Sequence, residues 1–248
     1  MRTQFERDGW TVVRGVVAPS ELAAMHDVFT ALVPPTNDGV LREVTGAAMA
    51  YPPLAAITRD PRFGALAAEV LGAPQIQFLQ DSLLYKPAGD GGAVEWHQDH
   101  SYVGFLVPAR VIAIRLALLP EREDNGCMRV VNGSHRWGPV GANRSLTADS
   151  VTSLVDALTE SQRAELACAA PLVLAPGDVS IHHCLTTHGS GINRSEEPRR
   201  TIILRMFDAS CRFDATRVPE HARSYFPTDT DGGLATHAFP IVFSAASR

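Results

Sequence analysis

Lysine is nearly absent from this chain: of its 22 basic residues, 21 are arginine and one is Lys86. A GC-rich coding sequence accounts for that bias. Basic residues are also outnumbered, 22 against 27 acidic ones, for a formal net charge of −5. A dedicated nucleic-acid binder needs a cationic excess to neutralise phosphates, so a small organic molecule is the expected partner instead. Cysteine is scarce. Cys127, Cys168, Cys184 and Cys211 are scattered with no Cys-x-x-Cys, which excludes a disulfide scaffold or a cysteine-rich zinc module and leads us to expect a reducing, cytoplasmic setting. Long hydrophobic runs are missing as well. Leu166 to Ala175 is interrupted by Pro171 and falls short of the ~18 residues of a membrane span. The N-terminal MRTQFERDGW carries acidic groups and no apolar stretch, so neither insertion nor targeting to a membrane is expected. There is no internal repeat, no low-complexity tract and no long linker.

What is present is a globular composition, 45% hydrophobic and 20% charged, over 248 residues, which suits one domain spanning 1–248. After a short strand candidate, Thr11 to Val17, Pro19 and Ser20 introduce a helix with Leu22, Met25, Phe29 and Leu32 at helical spacing, ended by Pro34 and Pro35. Asp60 caps a second helix, Pro61 suits its first turn, Phe63, Leu66, Ala67 and Val70 form its apolar face, and Gly72 stops it. From residue 75 the period shortens to strand-like runs: Ile76 to Tyr85, Val111 to Leu119, Met128 to Val131, Leu172 to Leu174, Val179 to Cys184, Thr201 to Phe207 and Phe239 to Phe243. A mixed helical insertion, roughly Asp149 to Cys168, divides them. The expected architecture is mainly β with surrounding helices: an N-terminal helical region to about residue 74, then a barrel or double-sheet roll from about 75 to 243 whose mouth can hold a small ligand.

Within that roll, residues 96 to 102 read Trp-His-Gln-Asp-His-Ser-Tyr. In an extended segment His97 and Asp99 project to the same face, so an imidazole and a carboxylate can converge on one ion. The spacing alone is uninformative: nine histidines among 27 acidic residues supply about one His-x-Asp/Glu by chance, and the chain contains one. Taken alone, such a motif is more often a solvated polar loop. A third ligand is suggested by His188, in Thr-His-Gly-Ser-Gly after the strand Val179 to Cys184. Two histidines and one carboxylate cover one face of an octahedral ion and leave three positions open, an arrangement that favours non-haem iron over zinc. Arg199 follows eleven residues later, where it can bind a carboxylate in a bidentate fork, with Ser190 as a hydroxyl donor. An exposed ion pair with Glu196 or Glu197 is the alternative for that arginine.

Taken as a set, these residues resemble the phytanoyl-CoA dioxygenase family of iron(II)- and 2-oxoglutarate-dependent oxygenases. The resemblance spans roughly residues 75 to 208. It rests on Lys86-Pro87, Trp96-His97-Gln98-Asp99, Tyr102, Asn125-Gly126-Cys127-Met128, Asn132-Gly133-Ser134-His135-Arg136-Trp137-Gly138, and His188-Gly189-Ser190 through Asn193 to Arg199. It implies a double-stranded β-helix, the cupin-like jelly roll. It also implies that His97, Asp99 and His188 bind Fe(II), that Arg199 and Ser190 hold the distal carboxylate of the cosubstrate 2-oxoglutarate, and that O2 is the oxidant. Gln80 matches a position that often reaches substrate or cosubstrate. The activity implied is hydroxylation of an unactivated C–H bond of a small metabolite, expected in bacterial secondary metabolism. Desaturation, epimerisation, cyclisation or a non-catalytic binding role remain as alternatives. Asp99 argues against halogenation, for which related enzymes replace the carboxylate with a small residue.

Two departures stand out. Arg115 occupies a position where the family often places tryptophan; it either turns inward, towards 2-oxoglutarate or a substrate carboxylate, or lies on the outward side of a strand opposite Ile114, Leu116 and Leu118. His182 and His183 compete with His188 for the metal, and the following Gly-Ser together with the Arg199 spacing favours His188. His135 reads as structural. The mouth is expected to involve the N-terminal helices, the loop from Asn37 to Pro53, residues Ser101 to Val107 and the C-terminal tail, with Tyr102 and Phe105 as candidate substrate contacts, core packing being the equal alternative for each.

Overall fold

The computed structural model describes residues 1–36, 38–89, 92–141 and 153–245; Asn37 of the expected mouth loop and residues 149–152 of the expected insertion lie outside them. The strands are β1 (Trp10–Val13), β2 (Arg42–Thr45), β3 (Gln75–Lys86), β4 (Val94–His97), β5 (Leu106–Val107), β6 (Val111–Ala117), β7 (Met128–Val130), β8 (Ala170–Pro171), β9 (Val179–His183), β10 (His188–Ser190), β11 (Arg199–Asp208), β12 (Arg212–Phe213) and β13 (Ile241–Ser244). The helices are α1 (Arg2–Asp8), α2 (Pro19–Leu32), α3 (Pro52–Thr58), α4 (Pro61–Leu71), the single turn α5 (His100–Val103) and α6 (Glu160–Ala167).

The helix signals operate as the sequence suggests. The Asp60 carboxylate accepts from the Arg62 amide at 2.9 Å, and α4 ends at Gly72 with φ 60°, a left-handed conformation natural to glycine. The Arg62 guanidinium then bridges Asp60 and Glu21, tying α4 to the first turn of α2.

The strands form two principal antiparallel sheets, the jelly-roll architecture, with β5 and β12 paired as a small separate ribbon. The larger has the order β1-β9-β6-β11-β3-β13 with β2 also paired to β3, and the smaller runs β4-β10-β7-β8. The larger sheet does not begin at residue 75. β1 closes its edge along β9, and β2 lies along β3, because backbone groups on exposed strand edges require partners and these two N-terminal segments supply them. Leu172 to Leu174 forms no ladder of its own among the described residues, contributing a bridge from Leu174 to Glu121 and one amide bond from Leu172 to Met128 O, and strand pairing shifts back to Ala170–Pro171.

Side-chain alternation divides the larger sheet into two unlike faces. Ile112, Ile114 and Leu116 of β6, Ile202, Leu204 and Met206 of β11, and Val179 and Ile181 of β9 pack with Leu22, Phe29, Leu54 and Phe63 of the helices in the principal core. The opposite face, turned into the roll, presents Ser82, Lys86, Arg115, Ser180, His182, Arg199, Thr201 and Arg205, all but Arg205 buried below one-tenth exposure. The hydrophobic core is therefore outside the roll, and the inside is polar. Among the described residues no helix is long and apolar enough to cross a membrane.

This two-faced strand yields a stability test. Leu204→Ala removes a fully buried side chain from the helix-backed core and should cost about 2–5 kcal/mol in urea unfolding. Ile203→Ala, its neighbour facing the cleft, should cost about 1 kcal/mol or more less, since open space already adjoins it. Equal losses would contradict the assignment of faces.

Candidate metal centre and anion pocket

The smaller sheet builds the centre through one cross-strand pair. β4 and β10 are antiparallel with His97 directly opposite His188, and their rings stand 4.2 Å apart. Each imidazole is orientated by a carbonyl two residues upstream: His97 Nδ1 donates to Glu95 O at 2.8 Å, and His188 Nδ1 to Thr186 O at 2.9 Å. A carbonyl only accepts, so Nδ1 carries a proton in both rings, which leaves Nε2 as the nitrogen available to a ligand. The Asn-Gly-Ser motif braces the second histidine, because Ser134 Oγ accepts from the Thr187 amide.

Asp99 converges by a different route from the one its spacing suggests. The strand ends at His97, and Asp99 already has the right-handed helical conformation that starts α5. The turn is fastened between the two ligands. Gln98 points the other way, donating to Gly138 O and Leu185 O and accepting from the Val140 amide. Ligand atoms of His97, Asp99 and His188 all lie within 4.8 Å of one another. Burial, aided by His97 and His182, holds His188 well below the ordinary imidazole range, so it is neutral. Burial acts to raise the Asp99 carboxyl, but Arg205, the His182 hydrogen bond and the other imidazoles reverse this and keep it ionised. Two imidazole nitrogens and one carboxylate on one side of an open cleft suit a divalent iron ion.

His182 is not a member of that set. Its Nε2 donates to Asp99 Oδ2 at 3.2 Å, leaving Oδ1 to face His97 at 3.8 Å. His183 turns away towards Phe5 and His135, and the His135 Nε2 lies 3.3 Å from Glu6 O, remote from the centre.

The cleft, about 490 Å³ counted to its open mouth, runs from the centre to a cluster of basic groups. Lys86 and Arg199 are essentially inaccessible. Lys86 Nζ donates to Ser190 Oγ at 2.8 Å, and Arg199 Nη1 to Gly126 O at 2.5 Å. Gly126 has φ 68°, and a Cβ there would collide with Gly191 O, so only glycine brings this carbonyl to the arginine. Asn193 donates to Pro87 O and Glu197 O, folding the turn that delivers Arg199 onto β11. Arg115 does turn inward, next to Glu121, whose carboxylate it approaches at 3.5 Å and which also accepts from Thr201 Oγ1 at 2.6 Å.

Three buried basic groups thus face one buried carboxylate. Burial pushes Lys86 down to about 7 and Arg199 down to about 10, the adjoining cations adding to each shift. Arg199 Nε, Arg115 Nη1 and Ser180 Oγ have no hydrogen-bond partner among the described residues. Such orphaned donors beside surplus positive charge fit a small dianionic acid.

Residues 5–201 match the family model described as phytanoyl-CoA dioxygenase (PhyH). The chain belongs to the phytanoyl-CoA dioxygenase family. It is 24% identical over 234 residues to the peroxisomal phytanoyl-CoA dioxygenase of Bos taurus, covering 86% of this chain and 69% of that one. It is 25% identical over 223 residues to an ectoine dioxygenase of Bordetella parapertussis, covering 81% and 72%. Among solved structures, the epimerase SnoN in complex with Fe3+, alpha ketoglutarate and nogalamycin RO shares the fold with a TM-score of 0.75 at 21% identity, covering 97% of this chain and 96% of that one. As a member of this family the chain is an iron(II)- and 2-oxoglutarate-dependent dioxygenase, and the two halves of its cleft have the donor chemistry those two cofactors require.

The expected site residues divide accordingly. His97, Asp99, His188, Ser190, Arg199 and Arg115 line one cleft. Gln80 does not line it; it sits on β3 opposite Arg205. Tyr102 is 42% exposed with its ring edge-on to His97, outside the cleft lining. Phe105 takes the packing alternative: it is buried in a satellite core against Phe213 and Phe226, where the apolar ring has aromatic partners, and is outside the cleft lining. Lys86, Glu121 and Arg205 were not assigned roles from sequence, and His182 was weighed there only as a rival of His188 for the metal. For Lys86 a signal existed: a single lysine among 21 arginines marks a position that needs a compact ammonium.

Lys86 gives a pH test. In the ligand-free protein it titrates near 7 rather than its ordinary 10.5 because burial, Arg199 and Arg115 outweigh Glu121. A bound dianion raises it again, so between those limits binding takes up a proton and affinity for 2-oxoglutarate falls as pH rises. Calorimetry at about pH 8.5 in buffers of different ionisation enthalpy should report that uptake, and Lys86→Met should abolish it.

Proposed function

We propose that this protein hydroxylates an unactivated C–H bond of a small organic metabolite in bacterial secondary metabolism. The observation that carries this reading is a single cleft holding a one-sided His-Asp-His set next to an over-cationic pocket with unpaired donors. Bound there, iron(II) with 2-oxoglutarate and dioxygen supplies an oxidant able to take hydrogen from such a bond, 2-oxoglutarate leaving as succinate and carbon dioxide.

The protein's contribution is geometry and charge. His97 and His188 offer Nε2 with the tautomer set by Glu95 O and Thr186 O. Asp99 offers Oδ1, while its second oxygen is engaged by His182. Arg199 and Ser190 anchor the distal carboxylate of 2-oxoglutarate, with Lys86 adding charge that can be withdrawn by pH. Arg115, partly neutralised by Glu121, turns its free Nη1 to the same acid. Gln80 remains a candidate for reaching the substrate from β3. Leu84, Ile203 and Met128 supply apolar wall against which a hydrocarbon portion can rest while water is displaced. The likeness to SnoN, an epimerase, keeps epimerisation as a second outcome on the same cofactors. Which outcome follows depends on where the substrate carbon lies.

The test is succinate formation from 2-oxoglutarate in air with ferrous iron. Wild-type protein should turn over, at least uncoupled from substrate, and Asp99→Ala should lose iron retention and succinate together. Undiminished succinate from that variant would reject the ligand set. Arg199→Ala should raise the 2-oxoglutarate requirement about 10- to 100-fold, the loss of a charge-assisted contact of ~1.5–3 kcal/mol. An unaltered requirement would move the acid's anchor elsewhere.

A further inference from the structure

A second arginine faces the centre from the other end of the same strand. Arg199 and Arg205 lie six residues apart on the inward face of β11, with Thr201 and Ile203 between them. Arg205 is flanked across the sheet by Ala113 of β6 and Gln80 of β3, and the small Ala113 side chain leaves room for the guanidinium to fold over the cleft. Its Nη1 donates to Ser82 Oγ at 2.9 Å, and its Nη2 stands 3.5 Å from Asp99 Oδ1. The side chain is only 13% exposed.

The charge of Arg205 is incompletely answered. Among the described residues the one carboxylate within ion-pair distance is Asp99, at a separation where a hydrogen bond is weak, and Asp81 on β3 acts on the guanidinium only at longer range. That contact falls on Oδ1, the oxygen turned to His97, while Oδ2 is already taken by His182. A divalent cation held at Oδ1 would compete with the guanidinium for the Asp99 charge, and Ser82 offers only a neutral hydroxyl. A nearly buried guanidinium without an anion is costly, and no other acid of the cleft reaches it among the described residues. Glu43, the remaining carboxylate of the cleft wall, forms no hydrogen bond or ion pair with it among the described residues.

We propose that Arg205 and Ser82 form a second oxyanion subsite, on the side of the metal residues opposite to Arg199, and that it receives an organic carboxylate positioned directly beside the centre. This deepens the function proposed above and rests on it. The carboxylate comes either from the substrate or from the metal-side end of the cosubstrate. The chemistry of recognition is the same, a planar fork meeting a planar anion.

The experiment uses the full chain loaded with zinc, which supports no turnover, so that binding alone is read. Calorimetry follows zinc and 2-oxoglutarate. With 2-oxoglutarate saturating, ligand-observed NMR follows hexanoate, octanoate and phenylacetate, each against its primary amide. Arg205→Gln is compared with wild type, and Arg205→Lys, which keeps the charge but not the fork, serves as a second variant if the first unfolds early. A loss of about tenfold or more in the preference for acid over amide, with 2-oxoglutarate and zinc binding unchanged, assigns the subsite to a substrate carboxylate. A comparable fall in 2-oxoglutarate affinity, with zinc binding unchanged, assigns it to the cosubstrate. If both affinities survive the substitution, or if wild type shows no preference for acids and unchanged 2-oxoglutarate binding in the variant, the subsite does not exist. Weakened zinc binding as the sole effect also overturns it, making Arg205 a support for Asp99. Failure of wild type to bind 2-oxoglutarate at all sinks the functional reading of the site, a separate result.

Discussion

The centre depends on the register between β4 and β10. Antiparallel pairing puts His97 and His188 directly opposite one another, although 91 positions separate their numbers, and backbone carbonyls on each strand fix the two imidazoles with Nε2 outward. A slip of one residue would send one imidazole to the other face of the small sheet. The elements around the pair defend that register. β7 pairs with the far side of β10, Ser134 holds Thr187, and Gln98 staples the turn between the first two ligands.

Electrostatics of the cleft follow from an inverted arrangement of polarity. In this protein the larger sheet spends its apolar face on the helices outside and turns its polar face inward. Burying Lys86, Arg115, Arg199 and Glu121 together is unfavourable by desolvation and only partly offset by pairing, a cost consistent with a site arranged for an anionic ligand. The same inward face carries His182 and Arg205, which touch the two oxygens of Asp99 from different strands. One carboxylate is thereby oriented by β9 and β11 of the larger sheet while its backbone belongs to the turn leaving the smaller one. The centre is a joint between the two sheets, so packing errors far from the metal residues can alter its geometry.

Much of this was legible in the chain. Pro19, Asp60, Pro61 and Gly72 marked helix ends correctly because capping and backbone chemistry are local. The run Ile76 to Tyr85 and the strand around Thr201 to Phe207 were found to within a few residues, the structure extending the latter to Arg199–Asp208. The convergence of Asp99 on His97 was legible but for an incomplete reason: extended alternation was expected, and a strand-to-helix turn brings the two together. Phe105 was ambiguous because an aromatic residue near a site reads the same whether it lines a pocket or fills a core.

By itself the sequence determined the kind of chemistry: two histidines, a carboxylate and a spaced arginine have affinities intrinsic to their side chains, and their order identifies the family. Tertiary structure alone decided which way Arg115 and Arg205 point. Every residue of β6 is buried, so alternating side chains lie on two faces that are both shielded from water, and periodicity cannot say which face is the inside. That choice was made by the helices, which cover the apolar face of the larger sheet and leave its charged face to enclose the cleft.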